Sequence, residues 1–193
     1  MIAALVLAAG KSERMGRPKM ALPWGDTTVL GAILRALASA GIEDIRVVTG
    51  AARDLVEPIC FEAGVTTVFN AAYGQADMLS SIQTGLTSLS AVTEAALIVL
   101  GDQPQIREET VRRVEQAYRQ SAPRLVVPSH RMRRGHPWLV DRQLWPELLK
   151  MTANETSREF LSLHDGEIKY VDIDSDTIHE DVDTPNDYLK SRP

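Results

Sequence analysis

The chain has 193 residues and a formal net charge of −5, with 44% hydrophobic and 24% charged residues. That length bounds it at one domain, or one domain with a small appendage, and the composition is that of a globular protein with a real core. An acidic chain is a poor general nucleic-acid binder, because phosphate neutralisation needs a basic surface, so any anion it holds must meet a local cluster of cations.

In chain order, IAALVLA (2–8) is the first predicted strand. It empties into AGKSERMGRPKM, where Lys11, Arg14, Arg17 and Lys19 are punctuated by Gly16 and Pro18. TTVLGAILRALASAG (27–41) has helical apolar spacing at Val29, Leu30, Ile33, Leu34 and Leu37, with Asp26 or Thr27 as the expected N-cap and Gly41 as the terminator. Strands follow at 44–49, 65–70, 95–100 and 124–127, with helices at 78–89 and 107–120. Glu108 and Glu109 fall in the first turn of the last of these, where the helix dipole favours them. Past residue 128 the pattern loosens, and 128–183 is expected to make an excursion on the acceptor side of one domain spanning 1–193. A final helix is expected to start at Thr184-Pro185.

Near-continuous apolar strands alternating with helices predict an α/β fold with a Rossmann-like, doubly wound, mostly parallel sheet. Ligands of such sheets sit at the carboxyl ends of the strands, so the loops after 8, 49, 70 and 100 are the places for chemistry. No window approaches the roughly 18 apolar residues of a membrane span, and the short apolar start lacks the basic region of a signal peptide. The expectation is a cytoplasmic protein with no membrane or nucleic-acid partner. The single cysteine, Cys60, can form neither a disulfide framework nor a cysteine metal site within one chain, and reads as a small buried hydrophobe.

Small residues after the first strand let backbone N–H groups approach an anion, and Arg14 and Lys19 can add charge-assisted hydrogen bonds to phosphate oxygens. The spacing matches neither the Walker loop nor the dinucleotide fingerprint. LGDQP (100–104) puts Asp102 at a strand's carboxyl end, a natural Mg²⁺ ligand, since Mg²⁺ needs only one or two carboxylates beside substrate phosphates. HEDVDTPND supplies Asp181 and Asp183, either of which can be the second carboxylate. A cationic loop with two carboxylate positions makes a metal–triphosphate site.

LAAGKSERMGRPKMALPWG resembles the signature L-A-[AG]-G-x-S-x-R-M-G-x-x-K of the MobA-like NTP transferases. LGDQP resembles that family's metal-binding aspartate motif and DVDTPND its C-terminal D-x-[DN]-T-P element. VVTGA (47–51), NAAYGQADMLSSIQTGL (70–86) and RRGHPWLV (133–140) have counterparts in the same order. The nearest members are the molybdenum cofactor cytidylyltransferases and the molybdopterin-guanine dinucleotide synthases. The resemblance implies a GT-A-like fold and transfer of a nucleoside monophosphate from an NTP to a phosphorylated acceptor, with release of pyrophosphate. It places Ala8, Ala9, Gly10, Lys11, Ser12, Thr49, Gly50, Ser80 and Ser81 against the nucleotide and Mg²⁺ on Asp102 and Asp183. Arg14, Lys19 and Asp102 become the catalytic residues. The acceptor phosphate is already a nucleophile at neutral pH, so positioning and charge stabilisation suffice.

The guanylyl-transferring relatives usually read L-A-G-G where this chain has Leu7-Ala8-Ala9-Gly10. The extra methyl of Ala9 suits a pyrimidine, which favours CTP over GTP. Arg133, Arg134 and His136 are expected to meet the acceptor, molybdopterin by resemblance, with a recipient molybdoenzyme as a transient partner. Asp77 stands where relatives commonly have glycine, and is expected to cap the helix from Met78. Two readings compete: a sugar- or alditol-phosphate nucleotidyltransferase, and a nucleotide-binding regulator without turnover.

Overall fold

In a computed structural model of the chain, residues 1–74 and 78–193 are described. Strand β1 (Ile2–Ala8) leads into the cationic loop. A short antiparallel ribbon, β2 (Pro23–Trp24) and β3 (Thr27–Thr28), precedes α1 (Val29–Ala40). Then come β4 (Asp44–Thr49), α2 (Arg53–Glu62), β5 (Thr66–Phe69), α3 (Met78–Ser88), β6 (Ala95–Leu100) and α4 (Glu108–Ser121). The second half runs β7 (Leu125–His130), β8 (Arg133–Arg134), β9 (Trp138–Asp141), α5 (Trp145–Lys150), α6 (Ser157–Leu163), β10 (Ile168–Asp172) and α7 (Pro185–Ser191).

The main sheet has the order β10-β7-β9-β6-β1-β4-β5, with β8 paired to β7. Only β9 and β8 run against the rest. The near-continuous apolarity of β1 follows from burial on both faces. Ala4, Val6 and Ala8 pack with residues of α1, α2 and α4, and Leu5 packs on the other face with residues of α3, α5 and α6. From β1 the chain winds to one side through β4 and β5, then crosses to place β6 on the other side of β1. The crevice of this fold therefore opens between the carboxyl ends of β1 and β6.

Two loops at that edge are in backbone contact. The Gly50 N-terminal neighbour ends β4, and a Cβ added at Gly50 would sit 2.4 Å from the Ala9 carbonyl oxygen and 2.8 Å from its Cα. Neither atom can swing aside as a side chain would. Gly50→Ala is therefore expected to destabilise the fold by about 1–3 kcal/mol, read as a lower urea midpoint. A midpoint equal to wild type would show that the loops part freely.

Several local expectations are amended. The N-cap of α1 is Thr28, whose hydroxyl accepts from the Gly31 N–H at 3.0 Å, because Thr27 and Thr28 pair with β2 first. Gly41 ends α1 at φ 93, as its sequence position predicts. The segments expected to leave the sheet in fact supply it with strands. β7 continues to His130, β9 lies between β6 and β7, and β10 extends β7 at the edge. α2 was hidden by Pro58 within it. The expected cap at Asp77 lies outside the described residues. Cys60 is fully buried, and burial, with Glu57 nearby, pushes its thiol up to about 12. Among the described residues no helix is long and apolar enough to cross a membrane.

Candidate active site

The loop after β1 is held in a compact turn. The Ser12 carbonyl accepts from the Met15 and Gly16 N–H groups, both at 3.1 Å. Ser12 itself is left-handed at φ 54, a conformation that costs a non-glycine residue about 1–2 kcal/mol. Its Oγ accepts from the Lys19 N–H at 3.3 Å, closing the loop on itself. The loop thus delivers Lys19 inward, where it is 8% exposed.

The Lys19 ammonium donates to Asp102 Oδ2 at 2.6 Å and to Asp183 Oδ1 at 2.8 Å. Arg14 donates to the other Asp183 oxygen at 3.0 Å from an exposed position. Burial pulls the Lys19 pKa down, but the Asp102 charge and hydrogen bond, then those of Asp183, outweigh it, and the net shift is upward from 10.5. Lys19 is therefore a fixed cation at neutral pH. The C-terminal segment is tied to the same place: the Val182 N–H donates to the Asp102 carbonyl at 2.8 Å, and Thr184 caps α7 with Asp187 closing the capping box. Of the two candidate carboxylates, Asp183 meets the cations. Asp181 accepts from Gln103 Nε2 at 2.7 Å. Burial raises the Asp181 pKa, and the Asp102 and Asp183 charges add to that against the Gln103 bond.

Two adjoining clefts open here, sharing Gly10 and Tyr73. One, of about 240 Å³, is mainly apolar, with Leu7, Ala9, Met78 and Leu100 beside Ser81 and Asp102. The other, of about 350 Å³, carries Lys11, Ser12, Arg14, Lys19 and Asp183. An apolar slot beside a charged one has the form of a site for a flat ring carrying phosphates.

Residues 4–168 match the profile of the MobA-like NTP transferase domain. The chain belongs to that family. A curated relative, the molybdenum cofactor cytidylyltransferase of Escherichia coli (strain K12), is 26% identical over 188 residues, covering 97% of this chain and 94% of its own. Rv0371c of Mycobacterium tuberculosis H37Rv superposes with a TM-score of 0.83 at 29% identity, covering 98% and 96% of the two chains. That protein has also been solved in complex with manganese, with a TM-score of 0.77. A nucleotidyl transferase from Methanothermobacter thermautotroptrophicus gives 0.83 at 25% identity, covering 100% and 96%. The chain is thus an α/β nucleotidyltransferase of the MobA-like group.

Within this MobA-like site, Ala9, Gly10, Lys11, Ser12, Arg14, Lys19, Ser81, Asp102 and Asp183 come together on the cleft walls. Ala8 is 1% exposed and lies beneath. Thr49 and Gly50, expected against the base, do not reach the clefts: Thr49 has no exposed surface and Gly50 is pressed on Ala9. Gly50 forms the floor under Ala9, and Thr49 pairs with Ala8 in the sheet beside it. Ser80 accepts from the Asn70 amide, as does Ser81.

The expected acceptor residues sit on the same edge, carried by the turn from β7 through β8. Arg133 is exposed. Arg134 is committed elsewhere, donating to the Tyr170 hydroxyl at 2.8 Å and to Asp165, which binds β8 to β10. His136 is half-buried, and burial, with His179 beside it, pushes it down to about 4. It is a neutral ring at physiological pH. The His136 backbone N–H donates to the Ile178 carbonyl and the Val182 backbone N–H to the Asp102 carbonyl, so residues 178–183 run from this turn to Asp102. Tyr73, Met78, Leu100 and Asn70 escaped the sequence reading. Tyr73 and Asn70 lie in NAAYGQADM, whose pattern assigns a role to neither.

Proposed function

We propose that this chain transfers CMP from CTP to a phosphorylated acceptor, molybdopterin, and releases pyrophosphate. The observation that carries the reading is the Lys19 ammonium between Asp102 and Asp183, with Arg14 beyond, opening onto a cleft whose apolar half is walled by Ala9. The whole-length similarity to a molybdenum cofactor cytidylyltransferase supports the same acceptor.

The donor set fits a hard divalent cation. Asp102 and Asp183 already converge on one positive centre, and among the described residues no group of three or more acidic, His or Cys side chains is placed to hold a metal ion by itself. Mg²⁺ takes one or two carboxylates and completes its shell with phosphate and water. We propose Mg²⁺, held by Asp102 and Asp183, which when bound neutralises charge on the phosphates. A manganese complex of the relative Rv0371c is in keeping with a divalent ion. Lys19 and Arg14 would turn from the carboxylates to the α-phosphate and leaving pyrophosphate. Gly10 and the small residues before it let the nucleotide lie against the backbone. Ser81, Tyr73 and Ala9 line the slot for the base. Arg133 is the exposed cation for the acceptor, and neutral His136 serves as a polar contact.

Competition between nucleotides tests the choice of base. CTP is expected to bind more tightly than GTP, and Ala9→Gly to narrow that preference by about 10-fold, the scale of one or two methylene-sized contacts. Tighter GTP binding by the wild type would assign the chain to guanylyl transfer instead.

A further inference from the structure

Asn70 lies just past the end of β5 and is 1% exposed, and it does not itself line either cleft. Every polar group it has is used. Its backbone N–H donates to the Thr49 carbonyl at 2.9 Å. Its Oδ1 accepts from the Ala72 N–H at 2.9 Å. That bond fixes which end of the amide is which: the oxygen is spent on Ala72, so Nδ2 faces α3. There it donates one hydrogen to Ser80 Oγ at 3.0 Å and the other to Ser81 Oγ at 3.1 Å.

This arrangement has a direction. A serine hydroxyl has one hydrogen and two lone pairs. At Ser81 a lone pair is taken by the amide, and among the described residues no acceptor takes the hydroxyl hydrogen, which remains to be given away. Ser81 lines the apolar slot, together with Leu7, Ala9, Met78 and Leu100. We propose that Asn70 is a positioning and specificity residue of the nucleotide site: it locks Ser81 as a hydrogen-bond donor aimed at a lone pair on the bound nucleotide. The inference rests on the nucleotide reading of the cleft, and adds the polarity with which that cleft addresses its ligand. An apolar slot amplifies the consequence, because a group of the wrong polarity there stays unpaired and away from water.

Asn70→Asp is the sharpest change. It keeps the shape and the acceptor for Ala72, but an ionised carboxylate accepts only, and would draw both serine hydrogens toward itself. The polarity of Ser81 then reverses while the packing stays. Nucleotide affinity is read by titration calorimetry with Mg²⁺ present, on wild type, Asn70→Asp, Ser81→Ala and the double variant. Each single change is expected to weaken CTP binding by about 10-fold. The double is expected to be no weaker than Ser81→Ala alone, because Asn70 acts through that hydroxyl. Asn70→Ser removes both amide hydrogens without adding charge, and runs the same cycle if the aspartate variant fails to fold. Multiplying effects, about 100-fold in the double, would overturn the proposal, as would unchanged affinity in the Asn70 variant. A purely structural Asn70 would give that multiplicative result together with a lowered melting temperature. If the wild type binds GTP and not CTP, the base assignment fails, and the same cycle run with GTP still decides the role of Asn70.

Discussion

Asp102→Ala loses turnover by about 10²–10³-fold while the fold stays intact. The magnitude is that of removing one fixed group that stabilises transition-state charge. The side chain is partly open to solvent, and the structural bond at this position uses the backbone: the Asp102 carbonyl accepts from Val182, and alanine keeps that carbonyl. The lysine left behind still has Asp183 at 2.8 Å. The melting temperature is therefore expected within about 4 °C of wild type, the shift of roughly 1 kcal/mol or less in a domain of this size. Pyrophosphate release measured beside thermal unfolding separates the two effects. Near-normal turnover would remove Asp102 from the site, and a collapse of the melting temperature would make it a structural residue.

Lys19→Met should behave differently, losing both activity and stability. The ammonium bridges Asp102 and Asp183, and it is more buried than either of them. Removing it leaves two carboxylates facing each other without their shared cation. Breaking a fully buried pair costs about 3–5 kcal/mol, and the partial exposure of both aspartates brings the expected loss to about 1–3 kcal/mol. Turnover is expected to fall by about 10³-fold, since in the proposed mechanism the same group meets the phosphates. The pH dependence has a definite sign. The folded-state pKa of Lys19 lies above its ordinary 10.5, so its stabilising contribution is complete below pH 10.5 and is lost as pH rises through the folded value. The stability difference between wild type and Lys19→Met should thus be flat through neutral pH and shrink in the alkaline range. Added divalent cation should restore part of the stability of the variant, by occupying the vacated charge. Urea unfolding across pH, with and without Mg²⁺, reads all three effects. A variant as stable as wild type would mean that the carboxylates repel too weakly to matter.

The central half of the fold was legible because its signals are physically strong. IAALVLA and AALIVL are apolar throughout since β1 and β6 are buried on both faces, and that same fact places the crevice between them. Asp102 was legible because a carboxylate directly after such a strand has no role in packing. Asp183 could be separated from Asp181 only in three dimensions: the two lie two positions apart, and only the course of 178–183 over the Asp102 loop decides which one meets Lys19. The strands beyond residue 128 were faint for a different reason. β8 has two residues and β9 four, β10 (IKYVD) is a sheet-edge strand with only Val171 buried, and their place in the sheet is set by long-range pairing. Thr49 and Gly50 were set against the nucleotide by the family resemblance. In the structure Thr49 pairs with Ala8 in the sheet and Gly50 is pressed on the backbone of Ala9, contacts that no spacing rule reveals. Asn70 and Tyr73 carry no pattern of their own, since a buried amide and a loop aromatic acquire meaning only from what they touch.

The most direct measurement follows the α-phosphate. CTP labelled at the α-position is incubated with the protein, Mg²⁺ and molybdopterin, and the label and pyrophosphate are counted together. The expected result is label in the acceptor with one pyrophosphate released per label transferred, abolished by chelation and by Asp102→Ala. Pyrophosphate without labelled acceptor, or label transfer that survives in Asp102→Ala, would contradict the account.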